Sequence, residues 1–92
     1  MLYEWDPRKA AANLKTHGVS FLEASSVFLD PLAMTYDDPD HTSDEHRYIT
    51  IGTSTAGRVL FVAIAERAER IRIISARRAT RRERYDYQEG TR

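Results

Sequence analysis

Residues 47–75, RYITIGTSTAGRVLFVAIAERAERIRIIS, contain a pattern of apolar and polar side chains that indicates consecutive strands. Apolar and polar side chains alternate from Arg47 to Thr53, which predicts a strand with one buried face. Thr55-Ala56-Gly57 then predicts a hairpin turn. The almost wholly apolar run from Val59 to Ala65 predicts a central strand that is covered on both sides.

Further strands flank this hairpin along the chain. A tight link at Arg67 to Glu69 leads into a strand from Arg70 to Ser75. Ala33 to Tyr36 predicts a strand ahead of the hairpin, and Leu2 to Trp5 predicts a short first strand. Because the later strands are joined by short links, we expect an antiparallel sheet of about four strands.

Capping signals mark three helices. Ser, Thr or Asp before an apolar run begins a helix, and Gly or an Asp-Pro pair ends one. The first helix begins at Asp6-Pro7 and ends at Gly18, and the second begins at Ser20 with Glu23 and ends at Asp30-Pro31. The third begins at Thr80 with Glu83 and ends at Gly90, so it should run from about Arg81 to Glu89. The predicted order is β-α-α-β-β-β-β-α, an α+β fold with helices packed on the sheet, and residues 1–92 are expected to form one domain.

The charge is unevenly distributed along a chain whose formal net charge is zero. Residues 1–66 contain five basic and ten acidic side chains, whereas residues 67–92 contain nine arginines and four acids. Arginine grips phosphate or carboxylate through a planar fork and keeps its charge when it is desolvated. The arginine-rich end therefore indicates a phosphodiester ligand or an acidic protein partner, unless it is only a solvated helix face.

The composition excludes several classes of protein. The sequence has no cysteine, so it offers neither a disulfide nor a thiolate as metal ligand or nucleophile. No apolar run is long enough to cross a bilayer, and residues 1–7 lack the apolar segment of a signal peptide. We therefore expect a cytoplasmic protein without a membrane partner.

Three stretches, taken in order, resemble the BrnT toxin family. They are Trp5 to Ala10 followed by Asn13 and by Lys15 to Phe21, then Asp44 to Gly52, and finally Ile73 to Arg84. One stretch alone would be a weak signal. The three together are specific, and their spacing is similar to that of the family from near the first residue to about Tyr87.

The resemblance implies a fold, an activity and a partner. The fold would be RelE-like, and the activity would be RNA cleavage that inhibits translation, with or without the ribosome. The partner would be a cognate BrnA-like antitoxin with a ribbon-helix-helix part, in a 2:2 heterotetramer, and operator DNA would be bound only through that antitoxin. We expect the antitoxin to cover the arginine-rich side, since it must compete with RNA there.

RNA can be cleaved without a metal or another cofactor, because its own 2′-hydroxyl attacks the adjacent phosphate. The protein must then supply a proton acceptor, positive charge for the transition state and a proton for the leaving 5′ oxygen. Arg47, Arg67 and Arg77 match basic positions of the family at strands or strand ends, and we predict that they contact the scissile phosphate or its neighbours. The alternative for each is a surface ion pair, for example between Arg47 and Glu45.

His17 and Glu45 are the candidates for proton transfer. A histidine, with an ordinary pKa of about 6.5, suits either acid or base catalysis. A histidine at the end of a helix also interacts favourably with the last carbonyls, and this structural role is the favoured one for His17. Glu45 would act as a base or would orient Arg47. The side chains expected to bind RNA are Lys15, Arg72, Arg78, Arg81 and Tyr85.

The acidic loop from Asp37 to His46 invites the hypothesis of a metal site. Its spacing matches neither an EF-hand nor a His-Glu-x-x-His motif. A polar loop also rarely converges enough oxygen atoms to hold a hard cation unaided. We therefore predict no metal ligands and no cofactor, and we expect the loop to shield the basic site or to select among RNAs.

Two other functions stay open from the sequence. One is a non-catalytic regulator whose basic C-terminal part binds nucleic acid or clamps an antitoxin. The other is a metal-dependent hydrolase built on the acidic loop. No helix-turn-helix pattern is visible, which weighs against direct reading of DNA. Loss of toxicity when Arg47 and Arg77 are both replaced would favour the nuclease, and insensitivity to a chelator would exclude the metal-dependent hydrolase.

Overall fold

Within residues 2–38 and 45–90, the part of the chain that the computed structural model describes, five strands and three helices follow the predicted order. The strands are β1 (Leu2–Glu4), β2 (Met34–Asp37), β3 (Arg47–Thr53), β4 (Val59–Arg67) and β5 (Arg70–Arg78). The helices are α1 (Pro7–His17), α2 (Phe21–Ser25, continued by a 3-10 turn at Ser26–Leu29) and α3 (Arg81–Gly90). No helix in these two ranges is long and apolar enough to cross a membrane.

The sheet differs from the expected one at its first strand. The strand order is β1-β5-β4-β3-β2, in which β2 to β5 are antiparallel neighbours and β1 pairs with β5 in parallel. The expectation of an antiparallel sheet of about four strands is therefore wrong, because the described strands form one mixed sheet of five. The reason lies in the connections: two helices follow β1, so no short hairpin fixes its direction.

One face of the sheet is covered by α1 and α2. Leu60 and Val62 of β4 pack there against Phe21 and Val27, and each of these four side chains is at most 2% exposed. Full burial of such a side chain contributes about 1.5–3 kcal/mol. β4 is the central strand, as predicted, but its other face is only partly covered. That difference between the two faces of β4 leaves room for a cleft.

Asn13 joins α1 to the sheet through a buried amide. Its Nδ2 donates hydrogen bonds to the carbonyl oxygens of Val19 at 2.9 Å and Ala76 at 2.8 Å, and its Oδ1 accepts one from the N–H of Ala76 at 3.0 Å. The residue is 7% exposed. One side chain thus satisfies three backbone groups that would otherwise be buried without partners.

Glu23 departs from its predicted role in a capping box. Ser20 Oγ accepts the N–H of Glu23 at 3.0 Å, as expected for an N-cap. The Glu23 carboxylate, however, accepts hydrogen bonds from Ser54 Oγ at 2.7 Å and from Arg58 Nε at 2.9 Å, so it joins α2 to the β3–β4 turn. The hydrogen bonds from Arg58 hold the pKa of Glu23 below its ordinary value of 4.5, against the opposing effect of burial.

We expect acid to destabilise the fold through this ion pair. A carboxyl group whose pKa is lowered on folding contributes stability above its unfolded pKa, and that contribution is lost as the pH falls through the folded pKa. The free energy of unfolding should therefore decrease below pH 4.5. Urea unfolding at about pH 7 and about pH 3 measures this. The Glu23→Gln variant should lose less stability on acidification than the wild type, and equal losses in both would contradict the assignment.

Tyr87 anchors α3 on the other face of the sheet. It is 8% exposed and packs with Ile49 and Ile51. Its hydroxyl donates to Asp30 Oδ2 at 2.5 Å and lies 3.0 Å from Thr53 Oγ1. The anchor fixes α3 over one end of this face. The rest of the face is left without a helix from the described part of the chain.

Candidate functional site: an arginine face and its cleft

The sheet face opposite α1 and α2, which we call the open face, presents the predicted arginines. In the strand ladder Arg47, Ala65 and Arg72 are direct neighbours, and so are Phe61 and Arg77. Residues directly opposite one another in a ladder project to the same face. Phe61 packs beside the Tyr87 anchor of α3, which identifies this face as the one that α1 and α2 do not cover.

A β-bulge in β5 brings Arg72 and Arg77 to the same face. In a regular strand, residues five positions apart project to opposite faces. Here the register between β4 and β5 shifts. Ala63 pairs with Ser75, whereas the next residue of β4 pairs with Ile73. One residue of β5 therefore lies unpaired between these two pairs, which is a β-bulge. The extra residue reverses the alternation. Both arginines therefore project away from α1 and α2.

Glu45 holds two of the predicted arginines together. Its Oε1 accepts from Arg47 Nε at 3.4 Å, and its Oε2 accepts from Arg67 Nε at 2.8 Å. The hydrogen bond from Arg67 is the main cause that lowers the pKa of Glu45. Nearby, Arg72 Nη1 donates to Glu4 Oε2 at 3.0 Å. These arginines are thus oriented by carboxylates within the same chain.

A cleft of about 510 Å³ opens on this face beside α3. Ala63 and Ser75, which are direct neighbours in the ladder, contribute small side chains to its lining. Asp38 lines one end, and its backbone N–H donates to the carbonyl oxygen of Arg47 at 3.1 Å. The residues that line the cleft are Tyr36, Asp38, Ile49, Phe61, Ala63, Ser75, Arg77 and Glu83.

Arg77 is fixed in the cleft wall by Glu83 and Phe61. Its Nη1 and Nη2 donate to the two carboxylate oxygens of Glu83 at 2.8 and 3.0 Å, and its guanidinium carbon lies 3.9 Å from the centroid of the Phe61 ring. Glu83 also accepts the N–H of Thr80 at 2.8 Å, while Thr80 Oγ1 accepts the N–H of Glu83 at 3.1 Å, which confirms the predicted capping box. The hydrogen bonds from Arg77 lower the pKa of Glu83, and both groups stay charged.

Tyr36 and Glu83 line the cleft but were not predicted as site residues. Tyr36 lies on β2 opposite Ile49, is 43% exposed and lines the cleft. Partial burial raises the pKa of its hydroxyl, as does the negative charge of Glu83, whereas the positive charge of Arg77 acts against them. In the sequence, Tyr36 is a position in a predicted strand and Glu83 is part of a predicted helix cap. Neither signal indicates a functional site.

Five other predicted residues neither line the cleft nor belong to the arginine row, by which we mean Arg47 and Arg72 on either side of Ala65 in the ladder. They are Lys15, His17, Arg78, Arg81 and Tyr85. Lys15 and His17 lie in the last turn of α1, on the other side of the sheet, where His17 precedes the left-handed C-cap of the helix. Arg78 pairs with Leu60, on the face that α1 and α2 cover. The two residues of α3 have exposed side chains.

The predicted acidic loop falls largely on residues 39–44, which lie outside the described residues. Two residues that flank this gap, Asp37 and His46, are described, and Asp37 Oδ1 lies 3.2 Å from His46 Nε2. The His46 ring stacks on Tyr48 with a centroid distance of 4.4 Å. Among the side chains of residues 2–38 and 45–90, no cluster of three or more His, Asp or Glu is placed to hold a metal ion.

Comparisons with known proteins agree on one family. The family model described as the ribonuclease toxin BrnT of type II toxin–antitoxin systems matches residues 5–83. The crystal structure of the Brucella abortus ribonuclease toxin BrnT is similar to this structure, with a TM-score of 0.66 over 88% of this chain and 100% of that chain. The two chains are 21% identical, so this likeness concerns the fold. No curated protein matches the chain.

The matched residues include β2 to β5 and the start of α3, and therefore the whole cleft and the arginine row. The RelE-like assignment stays a prediction, since these comparisons name BrnT alone. The antitoxin partner follows from the type of system that the family model describes. On this match, which spans most of the sequence, the chain belongs to the BrnT family of ribonuclease toxins of type II toxin–antitoxin systems.

Proposed function

We propose that this protein is an endoribonuclease toxin that cleaves RNA on the open face, without a metal ion, and thereby inhibits translation. The observation that supports the proposal is the common orientation of Arg47, Arg67, Arg72 and Arg77 beside a cleft of about 510 Å³. The family is one of ribonucleases, and the helices α1 and α2 leave this face uncovered. It is the face on which an extended polyanion meets the most guanidinium groups from neighbouring strands.

The arginines are spaced to act on one nucleotide unit. Arg47 on β3 and Arg77 on β5 are separated by two inter-strand spacings and by four residues along β4, which places their Cα atoms about 16 Å apart. Two long side chains reaching inward from these positions can both approach a phosphate seated between them. The attacking 2′-hydroxyl belongs to the RNA, so the protein needs only to orient the phosphate and stabilise its added negative charge.

We assign Glu45 to positioning rather than to proton transfer. The hydrogen bond from Arg67 lowers its pKa and so makes it a weaker base than an ordinary glutamate. Its two oxygens instead hold Arg47 and Arg67 in one orientation. His17, on the far side of the sheet, has no part in this site. The catalytic groups that we propose are therefore mainly guanidinium groups.

The test is the integrity of RNA incubated with the purified protein. Total RNA, with and without ribosomes, would be incubated with the wild type in EDTA and in magnesium. We expect cleavage in EDTA. Cleavage that requires the metal would favour the metal-dependent hydrolase. No cleavage in any lane, by a folded protein that still arrests growth, would favour a toxin that acts by binding alone.

We further propose that the antitoxin is a BrnA-like ribbon-helix-helix protein that covers the open face in a 2:2 assembly. The arginines of this face are already paired with Glu45, Glu4 and Glu83, so acidic side chains of the antitoxin would replace or extend these pairs. Hydrogen exchange with and without antitoxin should show protection on β3 to β5. Protection confined to α1 and α2 would contradict this placement.

A further inference from the structure

The turn between β4 and β5 places two arginines directly opposite one another. Arg67 ends β4, Arg70 begins β5, and the two residues are partners in the ladder. Arg67 lies two residues beyond Ala65, and residues two apart in a strand project to the same face. Both arginines therefore project from the open face, and we call them the turn pair. The pair lies about 7 Å from the arginine row, because two residues of a strand span that distance.

Arg70 differs from the other arginines of the open face in its partners. The others each donate to a carboxylate of this chain: Arg47 and Arg67 to Glu45, Arg72 to Glu4, and Arg77 to Glu83. Arg70 is exposed, and within residues 2–38 and 45–90 no carboxylate is paired with it. At the turn pair, positive charge therefore exceeds the negative charge that is held beside it.

This arrangement is unfavourable for the fold alone. Like charges directly opposite one another in a ladder destabilise a sheet. The two-residue turn that joins the pair contains Ala68 in the left-handed region, with φ of 53°, a conformation that costs energy in a residue with a Cβ atom. Departures of this kind from local preference are typical of functional positions. An anion bound between the two guanidinium groups would remove their repulsion.

The position of the turn pair suits a phosphate of an RNA strand. The pair forms the row of the open face next to the arginine row, and the distance of about 7 Å between these rows is comparable to the spacing of successive phosphates in an extended single strand. A guanidinium group grips phosphate through parallel hydrogen bonds. Arg70 can bind one without giving up an ion pair, whereas the paired arginines must first exchange a carboxylate.

We propose that the turn pair, with Arg70 as its principal donor, binds a flanking phosphate of single-stranded RNA, one nucleotide beyond the arginine row. The proposal rests on the proposed ribonuclease function and adds a second phosphate subsite to it. Arg70 strengthens the binding of the substrate and takes no part in the chemical step. The regular spacing of the rows favours a chain of phosphates over an acidic segment of the antitoxin as the ligand.

The test measures the affinity for a short RNA whose 2′-hydroxyls are methylated, so that it cannot be cleaved, at a series of salt concentrations. One phosphate contact with a single strand contributes about 0.7 to the slope of log K against log[salt], which amounts to about fivefold in Kd at about 0.1 M salt. Arg70→Ala should lose that slope and that affinity. The matched control is Arg84→Ala, which removes an exposed arginine of α3 and should bind like the wild type.

A second measurement identifies the phosphate. One phosphate at a time would be replaced by an uncharged methylphosphonate, and each RNA would be bound to the wild type and to Arg70→Ala. The variant should be insensitive to the replacement at one flanking position and should respond like the wild type at the others. Because Arg70 faces a like charge, Arg70→Ala should unfold at a temperature no lower than the wild type. A lower temperature would contradict the argument from the like charges.

The outcomes separate this proposal from the nuclease function. RNA binding that weakens in Arg70→Ala, without cleavage by the wild type, would support the subsite and overturn the nuclease. Cleavage by the wild type, together with equal RNA affinity and equal salt slopes for Arg70→Ala and Arg84→Ala, would overturn the subsite and leave the nuclease. A defect of Arg70→Ala that is confined to antitoxin binding would also overturn the subsite and would assign the turn pair to the antitoxin.

Discussion

The Arg47→Ala/Arg77→Ala double variant should cleave RNA at least about a thousandfold more slowly than the wild type. Removing one preorganised donor to a transition-state charge typically costs a factor of about 10²–10³, and groups that act on the same phosphate are not additive. Arg47 and Arg77 lie at different positions along the ladder, so they approach the proposed site from two directions. No other side chain that we assign to the site supplies both positive charges. Single-turnover cleavage of a defined RNA gives the rate.

The control for this variant removes two arginines elsewhere. Arg82 and Arg84 lie on α3 with exposed side chains, so Arg82→Ala/Arg84→Ala lowers the net charge equally without touching the cleft. We expect nearly wild-type cleavage from it. Because Arg77 also holds Glu83, thermal unfolding must show that the Arg47/Arg77 variant is folded under the conditions of the assay. A folded Arg47/Arg77 variant that cleaves RNA at the rate of the control would exclude the proposed site.

Asn13→Leu should destabilise the fold by at least about 3 kcal/mol, which is about 1 kcal/mol or more for each of three backbone groups. Leucine is the larger side chain, so the substitution leaves no cavity; the loss comes chiefly from the hydrogen bonds, and overpacking at this buried position adds to it. The carbonyl oxygens of Val19 and Ala76 and the N–H of Ala76 lose their side-chain partner. An unsatisfied buried polar group costs about 1–3 kcal/mol. Since a small domain is stable by about 5–15 kcal/mol, this loss is a large fraction of the total.

Urea unfolding at neutral pH measures the effect, and Ala12→Leu is the matched control. Ala12 is the neighbouring residue of α1 and is exposed, so the same new side chain there should change the free energy of unfolding by no more than about 0.5 kcal/mol. A loss below about 1 kcal/mol for Asn13→Leu would mean that water replaces the amide at all three backbone groups.

Local signals in the sequence predicted most of the elements. The bounds of β3 are those expected from its alternation, and the turn that follows contains Gly57 in the left-handed region, with φ of 80°. Gly18 ends α1 in the same way, with φ of 68°. β5 is longer than predicted, because pairing with β4 extends it to Arg78 beyond the end of its apolar run. That extension includes Arg77, a residue of the candidate site. The apolar pattern that predicted the strand ends before Arg77, so it did not place this residue in β5.

The candidate site was predicted only in part. Arg47 was expected beside Glu45, either oriented by it or paired with it at the surface, and the Glu45 carboxylate accepts hydrogen bonds from Arg47 and also from Arg67. His17 lies on the other side of the sheet, and Tyr36 was overlooked. Whether two distant residues share a face depends on strand pairing, and residue types along the chain do not reveal that pairing.

Side chains a few residues apart are enough to predict the order of the elements, their caps and the central position of β4. Contacts between distant parts of the chain establish the parallel pairing of β1 with β5, the hydrogen bond from Tyr87 to Asp30, and the common face of Arg72 and Arg77. The last of these depends on one extra residue in β5. Side chains alternate with a period of two, so a one-residue shift moves every later side chain to the other face, and only pairing with β4 shows where that shift occurs.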